Sequence, residues 1–147
     1  MYQRILVATD DSSLSRKAVK TAIGLAAPLQ AELVVLHVVP RYPTDFFQGA
    51  IAIEPEDIAR IEGQWADKGQ SVADAAVRAA QAAGVRARGV VAQSDAVADA
   101  ILSAAKKHRC DLVVMASHGR RGLQRLLLGS ETQHVLTRGN LPVLVLR

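Results

Sequence analysis

The chain has a single cysteine and few aromatic residues, so it lacks the disulfides by which small domains compensate for a limited core. Its single cysteine, Cys110, excludes an internal disulfide and fits a reducing compartment. Aromatic residues make up only 3 % of the 147 residues, so the hydrophobic half of the sequence is mostly Ala, Val, Leu and Ile. This composition is typical of the layers between helices and a parallel sheet, and the length predicts a single domain over residues 1–147.

Long hydrophobic runs are absent as well. The longest uncharged stretch near the start covers residues 21–31 and contains Pro28, whereas a membrane-spanning helix needs about 20 apolar residues. We therefore expect a cytoplasmic protein with no membrane partner.

Several familiar motifs of nucleotide and metal chemistry are also missing. The residues after the first predicted strand, Thr9 to Ser12, do not form a G-x-G-x-x-G motif, and no G-x-x-x-x-G-K-[ST] motif occurs. No set of Cys and His residues has zinc-ligand spacing, and no G-x-S-x-G elbow is present. These absences argue against a dinucleotide-binding fold, a Walker-type ATPase, a zinc site and an α/β-hydrolase.

The last third of the chain contains a strand, a glycine loop and a helix start in succession. A buried strand is predicted to end near Met115, before a loop that contains Gly119 and Gly129. Ser130 and Gln133 have the spacing of a capping box, with Ser130 as the N-cap. Free backbone N–H groups and the positive end of a helix favour binding of an anion, most often a phosphate.

Charge is distributed unevenly along the chain, whose net charge is +4. Residues 106–147 carry eight basic and two acidic side chains, whereas residues 1–105 carry ten basic and twelve acidic ones. Arg120, Arg121 and Arg125 lie in the glycine loop, where they are either solvated or paired with an anionic ligand.

Apolar periodicity predicts an α/β fold. The predicted strands cover residues 3–9, 33–39, 85–93, 111–116 and 141–146. Helices are predicted from Ser12 or Ser13 to Ala27, over 55–83, after Ser94, and from Ser130 to Gly139. We expect one doubly wound, five-stranded parallel sheet in the order 3-2-1-4-5 with helices on both faces. Such sheets bind ligands where the strand order reverses, between strands 1 and 4.

Two phenylalanines lie in the predicted loop 40–54. Phe46 and Phe47 either pack beneath that loop or help cover a ligand pocket or a partner surface. His37 in the second strand is expected to be a buried histidine with a hydrogen-bond partner, and Cys110 to be unreactive.

Ala116 to Gly119 are followed by nine residues and then by Gly129-Ser130, and the chain also contains, in this order, VATDDS, LHVV, DLVVMASHG and LPVLVLR. In these segments and their order the chain resembles the universal stress proteins. The ATP-binding branch of that family carries the motif G-x-x-G, nine residues and G-[S/T]. Ala116 replaces the first glycine. If that backbone needs a positive φ, alanine costs about 1–2 kcal/mol; if glycine only leaves space for a ligand, a methyl group is tolerable.

The resemblance implies a set of nucleotide-binding residues. Asp10 would hold the ribose, Val38 the adenine through its backbone, and Ala8 and Met115 would line the base. The phosphates would lie mainly on backbone N–H groups near Gly119 and Gly129. The complete set is Ala8, Thr9, Asp10, Val38, Met115, Ala116, His118, Gly119, Arg120, Gly129, Ser130, Glu131 and Thr132. The alternative is a tight connection that binds nothing, with Asp10 held by the next helix.

The resemblance also implies the function: an ATP-binding regulatory protein, with or without Mg²⁺, rather than a fast enzyme. Alternatives are a slow ATPase, with Asp10 or Glu131 as the base, and a dimer that binds partners but no nucleotide. A homodimer is expected through the apolar edge strand that starts at Pro142 and ends at Leu146. No catalytic or metal-binding residue is assigned, and nucleic acid is not an expected partner because aromatic residues do not interleave with the basic ones.

Overall fold

A computed structural model describes residues 1–43, 53–119 and 128–147. Phe46, Phe47, Arg120, Arg121 and Arg125 lie outside these ranges. Within them the elements are β1 (Arg4–Ala8), α1 (Ser13–Leu29), β2 (Glu32–Val39), α2 (Pro55–Ala82), β3 (Ala87–Gln93), α3 (Val97–Lys107), β4 (Leu112–Ala116), α4 (Ser130–Arg138) and β5 (Val143–Leu146). Among the described helices, none has both the length and the apolar character of a bilayer span.

The strands form a parallel sheet in the order β3-β2-β1-β4-β5, which confirms the predicted architecture. β1 is central, with Leu6 paired to Val34 of β2 on one side and to Val113 of β4 on the other. The chain builds one half of the sheet outward from β1 and then returns to build the other half. The strand order therefore reverses between β1 and β4, and a crevice opens at their carboxyl ends.

Alternate side chains of the central strands pack on opposite faces of the sheet. Val7 lies in a cluster with buried residues of α1 and α2. Its neighbour Leu6 lies in a second cluster, with buried residues of α3 and α4. Both faces are covered, as the continuous apolar runs of the sequence predicted.

The inner face of α2 follows the prediction at most positions. Periodicity over residues 55–83 predicts an inner face of Ile58, Ile61, Trp65, Val72, Ala76 and Ala79. The first five are partly buried and Ala79 is exposed, whereas the fully buried residues of the helix are Gly69, Ala73 and Ala80. A Cβ at Gly69 would lie 2.7 Å from Cδ2 of His37 in β2, so the helix approaches the sheet too closely for a larger residue. Small residues set this face, and they give a weak hydrophobic signal.

Three helices end in the same motif at the amino edge of the sheet. After each helix one residue adopts a left-handed conformation: Gln30 after α1, Gly84 after α2 and Arg109 after α3, with φ of 53°, 77° and 54°. The hydrogen bonds that close these Schellman motifs run from Ala31 N to Ala26 O, from Val85 N to Ala80 O and from Cys110 N to Ala105 O. α1 therefore ends at Leu29, two residues beyond the predicted end, with Pro28 in its last turn.

Candidate functional site

The crevice between β1 and β4 brings together two parts of the chain that carry the predicted site. Asp10 follows β1, and Gly119 lies three residues after β4. A Cβ built on Gly119 would be 2.9 Å from Oδ2 of Asp10, so the Gly119 backbone lies directly against that carboxylate. The absence of a side chain at Gly119 thus allows the two connections to meet.

The turn after β1 is held by Thr9, which is buried. Its N–H donates to Leu36 O at 2.9 Å, and its carbonyl accepts from Nδ1 of His37 at 2.9 Å. Its hydroxyl oxygen accepts from Asp11 N at 3.2 Å and lies 3.1 Å from Oγ of Ser15. The Thr9 side chain therefore fixes the turn. The expected hydrogen-bond partner of His37 is confirmed, but the residue is only partly buried rather than buried.

Asp10 also supports this turn. Its Oδ1 accepts a hydrogen bond from Ser12 N at 3.0 Å, and Ser12 in turn caps α1 by accepting from Ser15 N at 3.2 Å. The sequence predicted Ser12 or Ser13 as the cap, and Ser12 is the cap in the structure. It also raised a contact of Asp10 with N–H groups of the next helix as the alternative to ribose binding. The side chain is partly exposed at the crevice.

The connection between β4 and α4 is pinned where the two elements meet. Gly129 N donates to Ser117 O at 2.8 Å. The hydroxyl of Thr132, which is buried, lies 3.1 Å from Ala116 O and 3.2 Å from Ser117 O. A Cβ at Gly129 would be 2.8 Å from Ser117 O, so a glycine is needed here for close approach rather than for its φ of −60°.

The predicted capping box is wrong. Gly129 is the N-cap of α4, and Ser130 is its first helical residue. The Gln133 side chain donates to Leu128 O at 3.0 Å instead of reaching back to Ser130. The close contact of Gly129 with Ser117 fixes the helix start one residue earlier than the serine signal indicates.

The first turn of α4 leaves N–H groups aimed at its amino end. The first four N–H groups of a helix have no partner inside it. Gly129 uses its N–H on Ser117 O, so the N–H groups of Ser130, Glu131 and Thr132 remain beyond the helix's own bonds. Together with the positive end of the helix they form an anion-binding arrangement.

The Glu131 side chain has a different role from its backbone. Its Oε2 accepts from Ala98 N at 2.7 Å, in the first turn of α3. The N-cap of α3, Ala96, makes no side-chain hydrogen bond, so Glu131 serves as a cap supplied by the neighbouring helix. This contact occupies the carboxylate that the sequence analysis considered as a catalytic base.

Ala116 has ordinary strand geometry. It is the last residue of β4 and pairs with Leu146 of β5. In the described ranges the non-glycine residues with positive φ are Asp11, Gln30 and Arg109, so alanine at position 116 carries no backbone strain. Of the two possibilities raised by the sequence, only the space taken by the methyl group remains.

The apolar residues expected around a base lie on one face of the sheet. Met115 is buried, and Ala8 and Val38 are partly buried, in the cluster that faces α3 and α4. His118 follows β4, with Nδ1 2.9 Å from Oγ of Ser117. Its Nε2 is buried and has no hydrogen-bond partner among the described residues.

Ser117 and Ser15 support the connections at this crevice, and the sequence analysis did not single them out. Ser117 supplies the carbonyl that receives both Gly129 and Thr132, and Ser15 anchors Thr9. Ser117 lay inside the recognised motif, but a backbone acceptor gives no residue-type signal. In the described ranges no group of three acidic, His or Cys side chains is arranged to hold a metal ion.

Strand order and crossovers together define a doubly wound α/β protein whose strand order reverses between β1 and β4. The chain belongs to the universal stress protein family, whose family model matches residues 1–147. Universal stress protein YxiE of Bacillus subtilis is 33 % identical over 149 residues, which cover 100 % of both chains.

Solved structures show the same fold. The structure of MJ0577 from Methanocaldococcus jannaschii has a TM-score of 0.84 at 23 % identity and covers 99 % of this chain and 96 % of that chain. A universal stress protein solved in complex with cAMP has a TM-score of 0.67 at 26 % identity and covers 99 % of this chain and 97 % of that chain.

Proposed function

We propose that this universal stress protein binds an adenine nucleotide, ATP, between the carboxyl ends of β1 and β4, and that it acts through the bound state rather than as a fast enzyme. The observation that carries the proposal is the start of α4. Its amino end is pinned to β4 through Gly129 and Thr132, and three N–H groups lie beyond the helix's own hydrogen bonds.

In this proposal the phosphates bind to the N–H groups of Ser130, Glu131 and Thr132, with the Ser130 hydroxyl and Arg120 as further donors. Gly119 leaves space beside Asp10, whose carboxylate accepts from the ribose hydroxyls. The base lies near Val38, Met115 and Ala8. Mg²⁺, where it accompanies ATP, is held mainly through the phosphates.

The resemblance to known proteins supports the ligand class. The relative solved with cAMP carries an adenine nucleotide in the same fold, and alanine at position 116 is unstrained here. This favours the nucleotide-binding branch over a dimer that works without nucleotide.

The same geometry argues against fast hydrolysis. Phosphoryl transfer to water needs a group that positions the water and stabilisation of the transferred charge. The carboxylate of Glu131 caps α3 and that of Asp10 accepts from Ser12 N. Each carboxylate considered as a base therefore already has a structural contact.

Calorimetry and thermal melting with ATP test the proposal. ATP at 100 times its Kd should stabilise the fold by about 2.7 kcal/mol. Asp10→Ala should weaken binding about tenfold, the loss expected for a charge-assisted hydrogen bond. Asp67→Ala removes an exposed carboxylate of α2 and should leave binding unchanged. If millimolar ATP gives neither heat nor a melting shift, the protein acts instead as a dimer that binds partners but no nucleotide.

A time course of ADP formation separates a binding protein from a slow ATPase. We expect the wild-type protein to form no more ADP than Asp10→Ala does. Turnover that Asp10→Ala abolishes would identify an ATPase instead.

We further propose that a second copy of the chain pairs at β5. One side of β5 pairs with β4, and within the described residues no strand pairs with its other side. Leu144 of β5 and the nearby helix residue Leu136 are exposed large hydrophobic residues, and such an edge favours pairing with another chain. Sedimentation should give a dimer for the wild type and for Ile53→Arg, but a monomer for Leu144→Arg.

A further inference from the structure

A cleft of about 450 Å³ lies at the amino edge of the sheet, the edge opposite the proposed nucleotide crevice. Its charged lining residues are Arg4, Glu32, Arg86, Arg109 and Asp111, and Gln3 and Gln30 are its uncharged polar ones. A second hollow of about 560 Å³ shares Gln30 and Arg86 with it and is otherwise lined mainly by small apolar residues such as Ala26 and Val85. The two together have the size of a small-molecule site.

The acidic groups of this cleft already have partners inside the protein. Glu32 accepts from Nε of Arg4 at 3.2 Å on one oxygen and from Nε of Arg88 at 2.8 Å on the other. Asp111 accepts from Gln3 N at 2.9 Å and from Arg4 N at 3.0 Å. These carboxylates therefore have little capacity left to bind another cation.

Two arginines of the cleft have no such partner. Within the described ranges the guanidinium groups of Arg86 and Arg109 make no hydrogen bond or ion pair, and both residues are exposed. The pKa of nearby His108 lies below its usual range because burial disfavours the charged ring and because Arg88, Lys107 and Arg4 repel it. The surface of this cleft that a ligand can reach is therefore positively charged.

The backbone adds an independent observation. α1, α2 and α3 end in the same left-handed turn, but only α2 uses glycine there. Gln30 and Arg109 keep long polar side chains in a conformation that glycine adopts without penalty and that other residues adopt at a cost. Both line the same cleft, so two residues with a strained backbone conformation contribute their side chains to one cavity.

From this combination we propose that the amino-edge cleft is a second ligand site, which binds a phosphate-bearing small molecule through Arg86 and Arg109. A guanidinium presents planar, paired donors that match phosphate oxygens. The adjoining apolar hollow accommodates the uncharged part of the molecule. The site does not depend on nucleotide binding at the other edge.

The test is a ¹⁵N NMR titration of the full chain with pyrophosphate at constant ionic strength. The amide signals of Gln30, Arg86 and Arg109 report on the amino-edge cleft, and those of Ser130 and Glu131 report separately on the crevice. We expect saturable shifts at the first set, with citrate binding at least about tenfold more weakly than pyrophosphate because its carboxylates match two guanidinium groups less well.

Variants separate ligand binding from fold stability. Arg109→Gly should weaken pyrophosphate binding at the cleft about tenfold, the effect of losing one charge-assisted contact, yet raise the melting temperature by about 2–4 °C because glycine relieves the left-handed turn. Gln30→Gly is the matched control: we expect a similar rise in melting temperature but a loss of affinity below about threefold. Lys68→Gln removes an exposed positive charge of α2 and should change neither.

Three results would overturn the proposal. The first is no saturable shift at the cleft signals, and the second is citrate binding as tightly as pyrophosphate. The third is Lys68→Gln lowering affinity as much as Arg109→Gly, which would show that only the overall positive charge matters.

Discussion

At Gly129 and Gly119 the crevice leaves no room for a Cβ, but the obstructing atoms differ. At Gly129 the obstruction is a backbone carbonyl, Ser117 O, at 2.8 Å. At Gly119 it is Oδ2 of Asp10 at 2.9 Å, the end of a side chain that can rotate. A side chain at position 129 should therefore affect the stability of the fold, whereas a side chain at position 119 should mainly affect ligand binding.

Substitution of these two glycines should therefore give different results. Gly129→Ala should lower the free energy of unfolding by about 1–3 kcal/mol, the cost of overpacking against a fixed atom, and it should weaken ATP binding because α4 moves. Gly119→Ala should change stability by less than about 0.5 kcal/mol but still weaken ATP binding, since the Asp10 carboxylate must turn away.

Urea unfolding and calorimetry on the same preparations measure both quantities. Gly24→Ala is the control, because a Cβ there meets nothing within 4 Å; it should raise stability by up to about 1 kcal/mol, since alanine is the better helix former. Equal losses of stability for the variants at positions 119 and 129 would contradict this account of the crevice.

Ala116→Gly tests whether the departure from the family motif affects the ligand. The backbone at position 116 is unstrained, so glycine should bring no conformational gain and should lower stability by about 1 kcal/mol through lost burial and greater chain entropy. We expect ATP affinity to change less than about threefold, roughly 0.7 kcal/mol. A tenfold rise in affinity would show that the alanine methyl group obstructs the nucleotide.

The residue-level predictions from the sequence depended on what kind of group was involved. The local pattern left Ser12 and Ser13 open, but a serine cap at this position was predictable because serine is favoured directly before an apolar periodic segment. Ser117 was not, because it acts through its carbonyl, and every residue has one. The roles of Asp10 and Gly119 toward a ligand stay predictions, although the structure brings the two residues together.

Among the elements, α3 and α4 are coupled by a side chain rather than by apolar contact alone. Glu131 of α4 accepts from Ala98 N in the first turn of α3, where the helix lacks a cap of its own. A second contact between the same helices, Arg138 with Asp99 at 3.1 Å, joins two side chains that are more than half exposed. The two contacts differ in burial and in the group they satisfy.

Glu131→Ala should lower the free energy of unfolding by about 1 kcal/mol, the usual value of a helix cap. Asp99→Ala should cost less, up to about 0.5 kcal/mol, because exposed ion pairs and helix-end charges contribute little. Glu131→Gln keeps the acceptor and should keep ATP affinity within about twofold, since the proposed phosphate contact uses the backbone. Urea unfolding of the three variants measures the difference, and an equal cost for Asp99→Ala would refute a capping role.

Element boundaries were predictable where local signals agreed with packing. β1 and β2 follow their apolar runs closely, whereas the N-cap of α4 is Gly129 rather than Ser130 because Gly129 contacts Ser117. On α2 the most deeply buried residues were missed for the same reason, because close packing at Gly69 selects small residues. In both places a long-range contact, which no local pattern encodes, decided the structure.

For the whole molecule, the parallel sheet followed from the alternation of strands and helices, because parallel strands need crossovers. The order 3-2-1-4-5 is one of several that this alternation allows. This alternation places connections between strands and helices at both edges of one sheet. The proposed nucleotide crevice lies at the carboxyl edge, and the amino-edge cleft with Arg86 and Arg109 lies at the opposite one. The cleft was not predictable, since it forms from the ends of α1 and α3 and the starts of several strands that lie far apart in the sequence.

The amino edge should also make the stability of the whole molecule depend on acid. Burial alone would raise the pKa of Glu32, but hydrogen bonds and charges from Arg88 and Arg4 outweigh burial and hold that pKa below its usual 4.5. The folded protein thus binds this proton less tightly than the unfolded chain does. The stabilisation is present above pH 4.5 and is lost as the pH falls through the lower folded value.

Urea unfolding between pH 6 and pH 3 should show this loss, because Glu32 joins β2 to Arg4 of β1 and to Arg88 of β3. In Glu32→Gln the free energy of unfolding should be lower at pH 6 and should fall less steeply below pH 4.5, because the group that takes up the proton is gone. Glu56→Gln, which removes an exposed carboxylate from the first turn of α2, should keep the wild-type slope. If Glu32→Gln has the wild-type slope as well, another group takes up the proton. The ion pairs of Glu32 with Arg4 and Arg88 then do not set the pH dependence of the free energy of unfolding.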